Sequence, residues 1–243
     1  YGIEKDGMDH ADCIMCVSEL TRQTVINHYH QDPNKCFAMH NAVYPLAENL
    51  QAIVDQRKPS SERKEKVVTF LGRITMQKGP EYFIEAARKV LERTHNVRFC
   101  FAGSGDMMNA MIELAASYGI ADRCHFPGFM KGPQVFECFR DSDVYVMPSV
   151  SEPFGISPLE AMQSGVPTII SKQSGCAEIL DKCIKIDYWD IDAMADAMYS
   201  LCTNNSLHQY LQEEGKKEVD GITWEKVGVK IRALYEKTIE KCK

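Results

Sequence analysis

Short apolar runs alternate with amphipathic segments along most of the chain. The apolar runs predict strands over Cys13–Val17, Cys36–His40, Val67–Leu71, Val97–Ala102, Cys124–Phe126, Val144–Met147, Thr168–Ile170 and Ile184–Ile186. The clearest helix begins at Pro80, because apolar residues recur from Phe83 to Leu91 at helical spacing and proline suits the first helical position. Further helices are predicted near Asp106–Tyr118, Gln134–Phe139, Pro158–Ser164, Ile191–Cys202, Leu207–Lys217 and Trp224–Lys241. This alternation predicts an α/β fold with a parallel sheet and helices on both faces.

The alternation breaks over residues 46–66, which are polar, highly charged and contain a proline, and we predict a linker there. Residues 1–45 supply only strand, helix and strand, which is too little to cover both faces of a sheet. We therefore expect them to be the tail of another domain that is mostly absent from this chain. Residues 67–220 contain enough alternating elements to fold as a unit, and residues 221–243 are predicted to form a terminal helix.

The composition is that of a globular protein. Of the 243 residues, 44% are hydrophobic and 26% are charged, which argues against a disordered or collagenous chain. No run approaches the ~20 apolar residues that a transmembrane helix needs. The 28 basic and 34 acidic residues give a net charge of -6, which argues against nucleic acid as a partner.

The ten cysteines are scattered among apolar segments, as expected for buried, reduced thiols, and we predict a cytoplasmic protein. No basic-then-apolar leader follows Tyr1, so no export signal is expected. Cys13 and Cys16 form one Cys-x-x-Cys pair. They lie on a predicted strand, where residues three apart point to opposite faces, and no second pair exists. We therefore predict no zinc site.

Ligands of open parallel sheets bind beyond the carboxyl ends of the strands, and three predicted loops there carry candidate chemistry. The first runs from Gly72 to Pro80. Its glycines permit close backbone approach, and Arg73 and Lys78 place two cations near a helix N-terminus, a combination suited to phosphate oxygens. The alternative is that Arg73 and Lys78 are two solvated surface charges.

The second loop contains Gly103-Ser104-Gly105 after a predicted strand. It would open a dinucleotide-binding turn if a third glycine followed, but that position is Met108. A tight strand-to-helix turn is the favoured interpretation.

The third loop, from Pro148 to Met162, is the richest. Ser157 and Glu160 have the spacing of a capping box, so Glu160 could serve only the helix. Glu152 has no such role and lies close to the same helix N-terminus. Free amides at Gly155, Ile156 and Ser157 would hold an anion, while carboxylates bind hydroxyls. Phosphate donors beside hydroxyl acceptors suggest a sugar nucleotide.

These blocks together resemble the group 1 glycosyltransferases (family 4, retaining, GT-B fold). The resemblance rests on Gly72-Arg73…Lys78-Gly79, on Ser151-Glu152-Pro153-Phe154-Gly155…Glu160-Ala161-Met162 and on Ser174-Gly175…Glu178. It implies a Rossmann-like domain that forms the C-terminal, donor-binding half of the fold. Residues before Pro45 would then be the end of the acceptor half, and the last helix would cross back onto that half.

The resemblance also implies a role for each candidate residue. Arg73 and Lys78, beside Gly72, would stabilise the donor diphosphate as it leaves, and Glu152 would contact hydroxyls of the transferred sugar. Glu160 would bind the ribose. The backbone of Phe154, Gly155, Ile156 and Ser157 would hold sugar and phosphate, and main-chain groups near Phe129 and Met130 would read the base.

The implied reaction is transfer of a hexosyl group, with retention, from a nucleoside-diphosphate sugar to a hydroxyl of a sugar, glycan or lipid acceptor. We expect no metal and no other cofactor, because Arg73 and Lys78 would replace Mg²⁺. Peripheral membrane association would involve only the absent domain. This chain alone would bind the donor but transfer it poorly. Alternatives are a sugar-nucleotide epimerase or phosphorylase of the same fold, and an NAD(P)-dependent oxidoreductase that uses Gly103-Ser104-Gly105.

Overall fold

A computed structural model describes residues 1–241, and its main feature is a six-stranded, wholly parallel sheet. The strands are β3 (Lys66–Leu71), β4 (Val97–Ala102), β5 (Cys124–Gly128), β6 (Val144–Met147), β7 (Thr168–Ser171) and β8 (Ile184–Ile186). Their order across the sheet is β5-β4-β3-β6-β7-β8. Because β3 and β6 are neighbours, the order reverses direction there, and this is where open α/β sheets bind ligands.

Helices cover both faces of the sheet, so the predicted α/β, Rossmann-like fold is confirmed. The helices that follow β3 are α4 (Pro80–Leu91), α5 (Met108–Ser117), α6 (Pro133–Asp141), α7 (Ser157–Gln163), α8 (Ile191–Thr203), α9 (Asn205–Asp220) and α10 (Trp224–Lys241). One core packs α4, α5 and α8 on one face, around Phe83, Phe99 and Met198. The other packs α6 and α7 on the opposite face, around Phe139, Tyr145 and Leu159.

The N-terminal residues form a separate small layer. It contains α1 (Gly2–Asp9), β1 (Ile14–Cys16), α2 (Glu19–Tyr29) and β2 (Cys36–Ala38). The two strands pair in parallel, and Cys16, Val25 and Cys36 form a small core between them and α2. Both predicted strands exist, whereas α1 is an element that the hydrophobic pattern did not predict.

The segment predicted as a linker is ordered by packing. It contains helix α3 (Glu48–Val54), which packs against α6. The Arg57 guanidinium donates to the carbonyl oxygen of Phe139 at 3.0 Å and to that of Ser142, at the C-terminal end of α6. Residues 46–66 are therefore held against α6, because α3 and Arg57 find partners there that the sequence does not show.

Helix α10 begins where the N-terminal segment meets the main sheet. The Val43 amide donates to the Ile222 carbonyl oxygen at 3.4 Å, and Val43 and Thr223 form an isolated parallel bridge. At the other end of α10, Lys237 and Lys241 line a depression together with Arg22 and Pro33 of the N-terminal segment. The helix thus runs from the main sheet to residues 1–45. The last two residues of the predicted helix, Cys242 and Lys243, lie outside the described residues.

Candidate active site

Three loops meet at the carboxyl edge of the sheet, and backbone hydrogen bonds join them. The loop after β6 is tied to the loop after β3, since the Val150 amide donates to the Gln77 carbonyl oxygen at 2.9 Å. The same loop is tied to the one after β7, since the Glu152 amide donates to the Gln173 carbonyl oxygen at 3.1 Å. The amide of Gly175 returns a hydrogen bond to the Glu152 carbonyl oxygen at 3.0 Å. The site is therefore built on a connected backbone.

A cavity of about 280 Å³ lies between the loops after β3 and β6. It is lined by Phe70, Leu71, Gly72, Arg73, Lys78, Val146, Met147, Ser149 and Ser157. Four of the predicted site residues, Gly72, Arg73, Lys78 and Ser157, therefore share one cavity. Two cations and two hydroxyls around a small space provide donors suited to phosphate oxygens.

Glu152 is brought to this cavity through an ion pair with Lys78. Lys78 Nζ contacts Glu152 Oε2, and the two side chains are only 20% and 10% exposed. Arg73, by contrast, is exposed and donates to Gln77 Oε1 at 3.2 Å. Because both side chains are largely buried, water and salt screen the attraction between them less than in a surface ion pair. The pair fixes both side chains at the cavity mouth.

The predicted capping box at the start of α7 is wrong. Ser157 is the first helical residue, Ile156 is the N-cap, and no side chain caps the helix. The Ser157 hydroxyl instead lies 2.8 Å from the hydroxyl of Tyr145. A buried Tyr hydroxyl needs a partner, and it takes the serine that the local pattern assigned to the cap. Burial raises the pKa of the Tyr145 phenol.

Glu160 lies one turn after Ser157 and does not line the cavity. No hydrogen bond to its carboxylate occurs among residues 1–241, so the helix cap does not use it. Burial raises the pKa of Glu160 above its ordinary value. A half-buried carboxylate without a partner is available to a ligand hydroxyl, but the structure does not itself bring Glu160 to the cations.

Ser149 lines the same cavity, but the sequence analysis did not predict it. Its side chain is fully buried, its Oγ has no hydrogen-bond partner among the described residues, and it lines the same cavity as Lys78. An unpaired buried hydroxyl is costly unless something else satisfies it. Its position two residues after the wholly buried strand β6 was the available signal.

The predicted base-reading residues lie elsewhere on the edge. Phe129 and Met130 line a different and larger cavity of about 560 Å³, between β4, β5 and α6, and the Phe129 side chain is 70% exposed. Phe154 is buried in the core, so its backbone alone is available to a ligand. Gly155 has φ 91°, a conformation that favours glycine, and the Ile156 side chain is exposed.

The Gly103-Ser104-Gly105 turn is explained by close packing. A Cβ on Gly103 would lie 1.8 Å from the Gly72 carbonyl oxygen, and one on Gly105 would lie 2.1 Å from that of Ile74. The Ile74 amide donates to the Ser104 carbonyl oxygen at 2.9 Å. The glycines therefore let this turn pack against the Arg73 loop, which favours a tight turn over a dinucleotide site.

Within residues 1–241, no cluster of three or more His, Cys, Asp or Glu side chains has the arrangement of a metal site. The nine cysteines of this range are unpaired thiols, and burial raises the pKa of Cys16 to about 11. None of the described helices combines the length and apolar character needed to cross a bilayer.

The family model "Glycosyl transferases group 1" matches residues 53–218. The chain therefore belongs to the group 1 glycosyltransferases, a family of sugar-transferring enzymes. It is 30% identical to a glycosyltransferase of Methanocaldococcus jannaschii over 93% of this chain and 60% of that protein. It is 29% identical to a D-inositol 3-phosphate glycosyltransferase of Rhodococcus jostii over 91% of this chain and 52% of that protein. The chain thus spans about half to three fifths of these relatives.

Solved structures share the fold. The Staphylococcus aureus TarM structure with Fondaparinux, alpha-GlcNAc-glycerol and UDP matches with a TM-score of 0.81 and 19% identity, over 96% of this chain and 46% of that one. The structure of Anabaena HepE with UDP and glucose matches with a TM-score of 0.81 and 16% identity, over 97% of this chain and 66% of that one. The resemblance to the GT-B fold is therefore confirmed.

Proposed function

We propose that this chain is the donor-binding part of a retaining glycosyltransferase that uses a nucleoside-diphosphate sugar. The observation that carries the proposal is the shared cavity, where Gly72, Arg73, Lys78 and Ser149 surround a space of about 280 Å³ and Glu152 pairs with Lys78. The relatives with UDP in their structures support a nucleotide sugar as the donor.

The reacting step is the departure of the nucleoside diphosphate from the anomeric carbon. Negative charge grows on the leaving phosphate oxygens, and preorganised cations stabilise that charge most where water is excluded. Lys78 is held in place before the donor arrives, because Glu152 pairs with it. Arg73 is exposed and only loosely held by Gln77, so it is free to turn onto the diphosphate.

Glu152 has two partners in turn under this proposal. Without the donor it neutralises Lys78, and with the donor bound the diphosphate takes over Lys78 while the carboxylate accepts hydrogen bonds from the sugar hydroxyls. Hydrogen bonds from the sugar hydroxyls therefore replace the ion pair that the Glu152 carboxylate loses. The amides of Gly155 and Ile156, which have no hydrogen-bond partner among the described residues, would add donors for the phosphate.

A nucleotide screen tests this function. Thermal unfolding of the chain is measured with UDP, GDP and ADP and with the corresponding sugar nucleotides, each with EDTA. We expect one base to raise the melting temperature, because a ligand that binds only the folded state stabilises it. We expect EDTA to leave the shift unchanged, since Arg73 and Lys78 replace a metal. NADH serves as the control, and a shift with NADH and none with the nucleoside diphosphates would favour the oxidoreductase alternative.

A further inference from the structure

Three aromatic side chains form a contiguous group at the same edge of the sheet as the proposed donor site; Tyr82 and Tyr188 are partly buried, and Trp189 is exposed. Tyr82 lies in the first turn of α4, and Tyr188 and Trp189 follow β8. The ring centroids of Tyr82 and Tyr188 are 5.1 Å apart, and those of Tyr188 and Trp189 are 4.8 Å apart. Trp189 is 57% exposed. We call these three residues the aromatic cluster. Exposed apolar groups that are contiguous mark interaction sites more often than scattered ones.

Hydrogen bonds to Gln173 link the aromatic cluster to the proposed donor site. The Gln173 carbonyl oxygen accepts the Glu152 amide at 3.1 Å, and its side-chain Oε1 accepts the Tyr188 amide at 3.4 Å. On the other side, Gly79 packs against the Tyr82 ring and directly follows Lys78, since a Cβ on Gly79 would lie 3.0 Å from Tyr82 Cδ2. The cluster is therefore adjacent to both members of the Lys78–Glu152 ion pair.

The strand order gives the cluster a position relative to the donor. The residues proposed to hold the base follow β5, those for the diphosphate follow β3 and β6, and those for the sugar are tied to the loop after β7. The sheet order β5-β4-β3-β6-β7-β8 places the β8 loop next in this direction. Tyr188 and Trp189 thus lie beyond the sugar end of the donor.

The chemistry around the cluster suits a pyranose ring. The apolar C–H face of a sugar can pack on an aromatic ring while its hydroxyls reach polar side chains. Asp187 supplies such a group, since its carboxylate accepts hydrogen bonds from Lys172 at 2.8 Å and Gln173 at 3.0 Å and retains further acceptor capacity.

The charged residues around the aromatic cluster favour a sugar over an anionic membrane surface as its ligand. The acidic neighbours in sequence are Glu81, Asp187, Asp190 and Asp192, and the nearby lysines are Lys172 and Lys89, which pair with Asp187 and Asp192. Anionic lipid surfaces bind clusters of basic residues. The excess of acids favours a neutral ligand.

We propose that the aromatic cluster is an acceptor subsite that binds a neutral pyranose ring of the acceptor. The inference rests on the proposed donor function, because the position of the cluster is defined by the expected donor. Trp189 supplies the stacking surface. Tyr188 packs against both Trp189 and Tyr82. Asp187 and Gln173 would orient the hydroxyls.

Saturation-transfer NMR on the full chain tests the subsite with maltotriose and with chitobiose as probes, in the presence and absence of UDP. We expect transfer to the C–H protons of at least one probe. Trp189→Ala should weaken binding about tenfold, and Trp189→Phe should retain part of it. Tyr235→Ala is the matched control, because Tyr235 is 55% exposed on the distant helix α10 and should leave the transfer unchanged.

Transfer that is absent with both probes, or that persists unchanged in Trp189→Ala, overturns the subsite. Sedimentation with vesicles of phosphatidylglycerol and phosphatidylcholine completes the test, and vesicle binding that depends on Trp189 without sugar binding would assign the cluster to a membrane instead. UDP binding measured by calorimetry on the same samples separates the two proposals. Absent sugar binding with intact UDP binding removes the acceptor subsite alone.

Discussion

At the scale of single residues, the candidate site combines side chains that have an ion-pair partner with buried polar side chains that have none. Lys78 is held by Glu152, and both side chains are largely buried. Ser149 is equally buried but has no partner, and Glu160 is half-buried with an unpaired carboxylate. Unpaired buried polar groups are rare in folded proteins and reduce stability, so a ligand in the cavity that accepts a hydrogen bond from Ser149 would remove that cost.

Glu160 gives a prediction about pH. Its pKa is raised in the folded chain by burial, so the folded state holds a proton more tightly than the unfolded state. Stability must then fall as pH rises through the window between the ordinary and the raised pKa, and the loss is complete above the raised pKa. Glu160→Gln should therefore raise the melting temperature at pH 7 but not below the ordinary Glu pKa, while it weakens nucleotide binding.

Thermal unfolding from pH 4 to pH 8 checks this prediction. Glu213→Gln is a control, since Glu213 is an exposed carboxylate on α9. A stability gain for Glu160→Gln that is the same at every pH would show that the charge of Glu160 is not the cause.

At the scale of elements, Tyr145 joins the two loops that form the cavity. Its hydroxyl donates to the Leu71 carbonyl oxygen at 3.3 Å, at the end of β3, and lies 2.8 Å from Ser157 Oγ, at the start of α7. The phenol is fully buried in β6 between these elements. The loop geometry is therefore set from inside the core and not by a side-chain cap on α7.

Tyr145→Phe should remove this link without leaving a cavity. We expect a loss of about 1–3 kcal/mol in the free energy of unfolding, as for two buried hydrogen bonds, and weaker nucleotide binding because Ser157 loses its position. Urea unfolding and calorimetry measure the two effects. Tyr118→Phe is the matched control, because the Tyr118 hydroxyl makes no hydrogen bond within the described residues. Equal effects from the two substitutions would contradict the role given to Tyr145.

The elements also show what the sequence could and could not predict. All eight strands were predicted, because parallel strands give short apolar runs, and their length and their alternation with helical segments favour strands over buried helices. Helix α3 was missed because its contacts come from α6, far away in sequence. Ser157 was placed at the cap by local pattern, but Tyr145 competes for its hydroxyl in three dimensions. Arg73 and Lys78 could be predicted as neighbours because they lie in one short loop, whereas the signal for Ser149, its place just after a buried strand, does not distinguish a site residue from a core residue.

At the scale of the whole molecule, Glu178 connects the N-terminal segment to the loop that follows β7. Its carboxylate accepts the amides of Glu19 and Leu20 at 2.8 Å each, at the first turn of α2, and contacts His40 Nε2. Burial raises the pKa of Glu178, but these hydrogen bonds outweigh burial and lower it below the ordinary value. The turn that carries Glu178 also binds the loop of Glu152.

Removal of this carboxylate should release the first turn of α2 from the turn that carries Glu178. In Glu178→Ala we expect amide exchange of Glu19 and Leu20 to accelerate about tenfold or more, which corresponds to ~1.4 kcal/mol of local stability. Glu218→Ala is a matched control, because Glu218 accepts the amides of Asp181 and Lys182 at 2.8 and 2.9 Å inside the main domain. Acceleration at Glu19 in both variants would mean that the effect is not local.

The central claim is that Arg73 and Lys78 bind a nucleoside diphosphate, and isothermal calorimetry with UDP, GDP and ADP tests it most directly. Arg73→Ala and Lys78→Ala should each weaken binding of the preferred diphosphate more than about tenfold. Glu152→Gln should not weaken it, because the diphosphate and Glu152 compete for Lys78. Lys172→Ala, which removes an exposed lysine paired with Asp187, should leave the affinity unchanged. Unchanged affinity in both Arg73→Ala and Lys78→Ala would contradict the account.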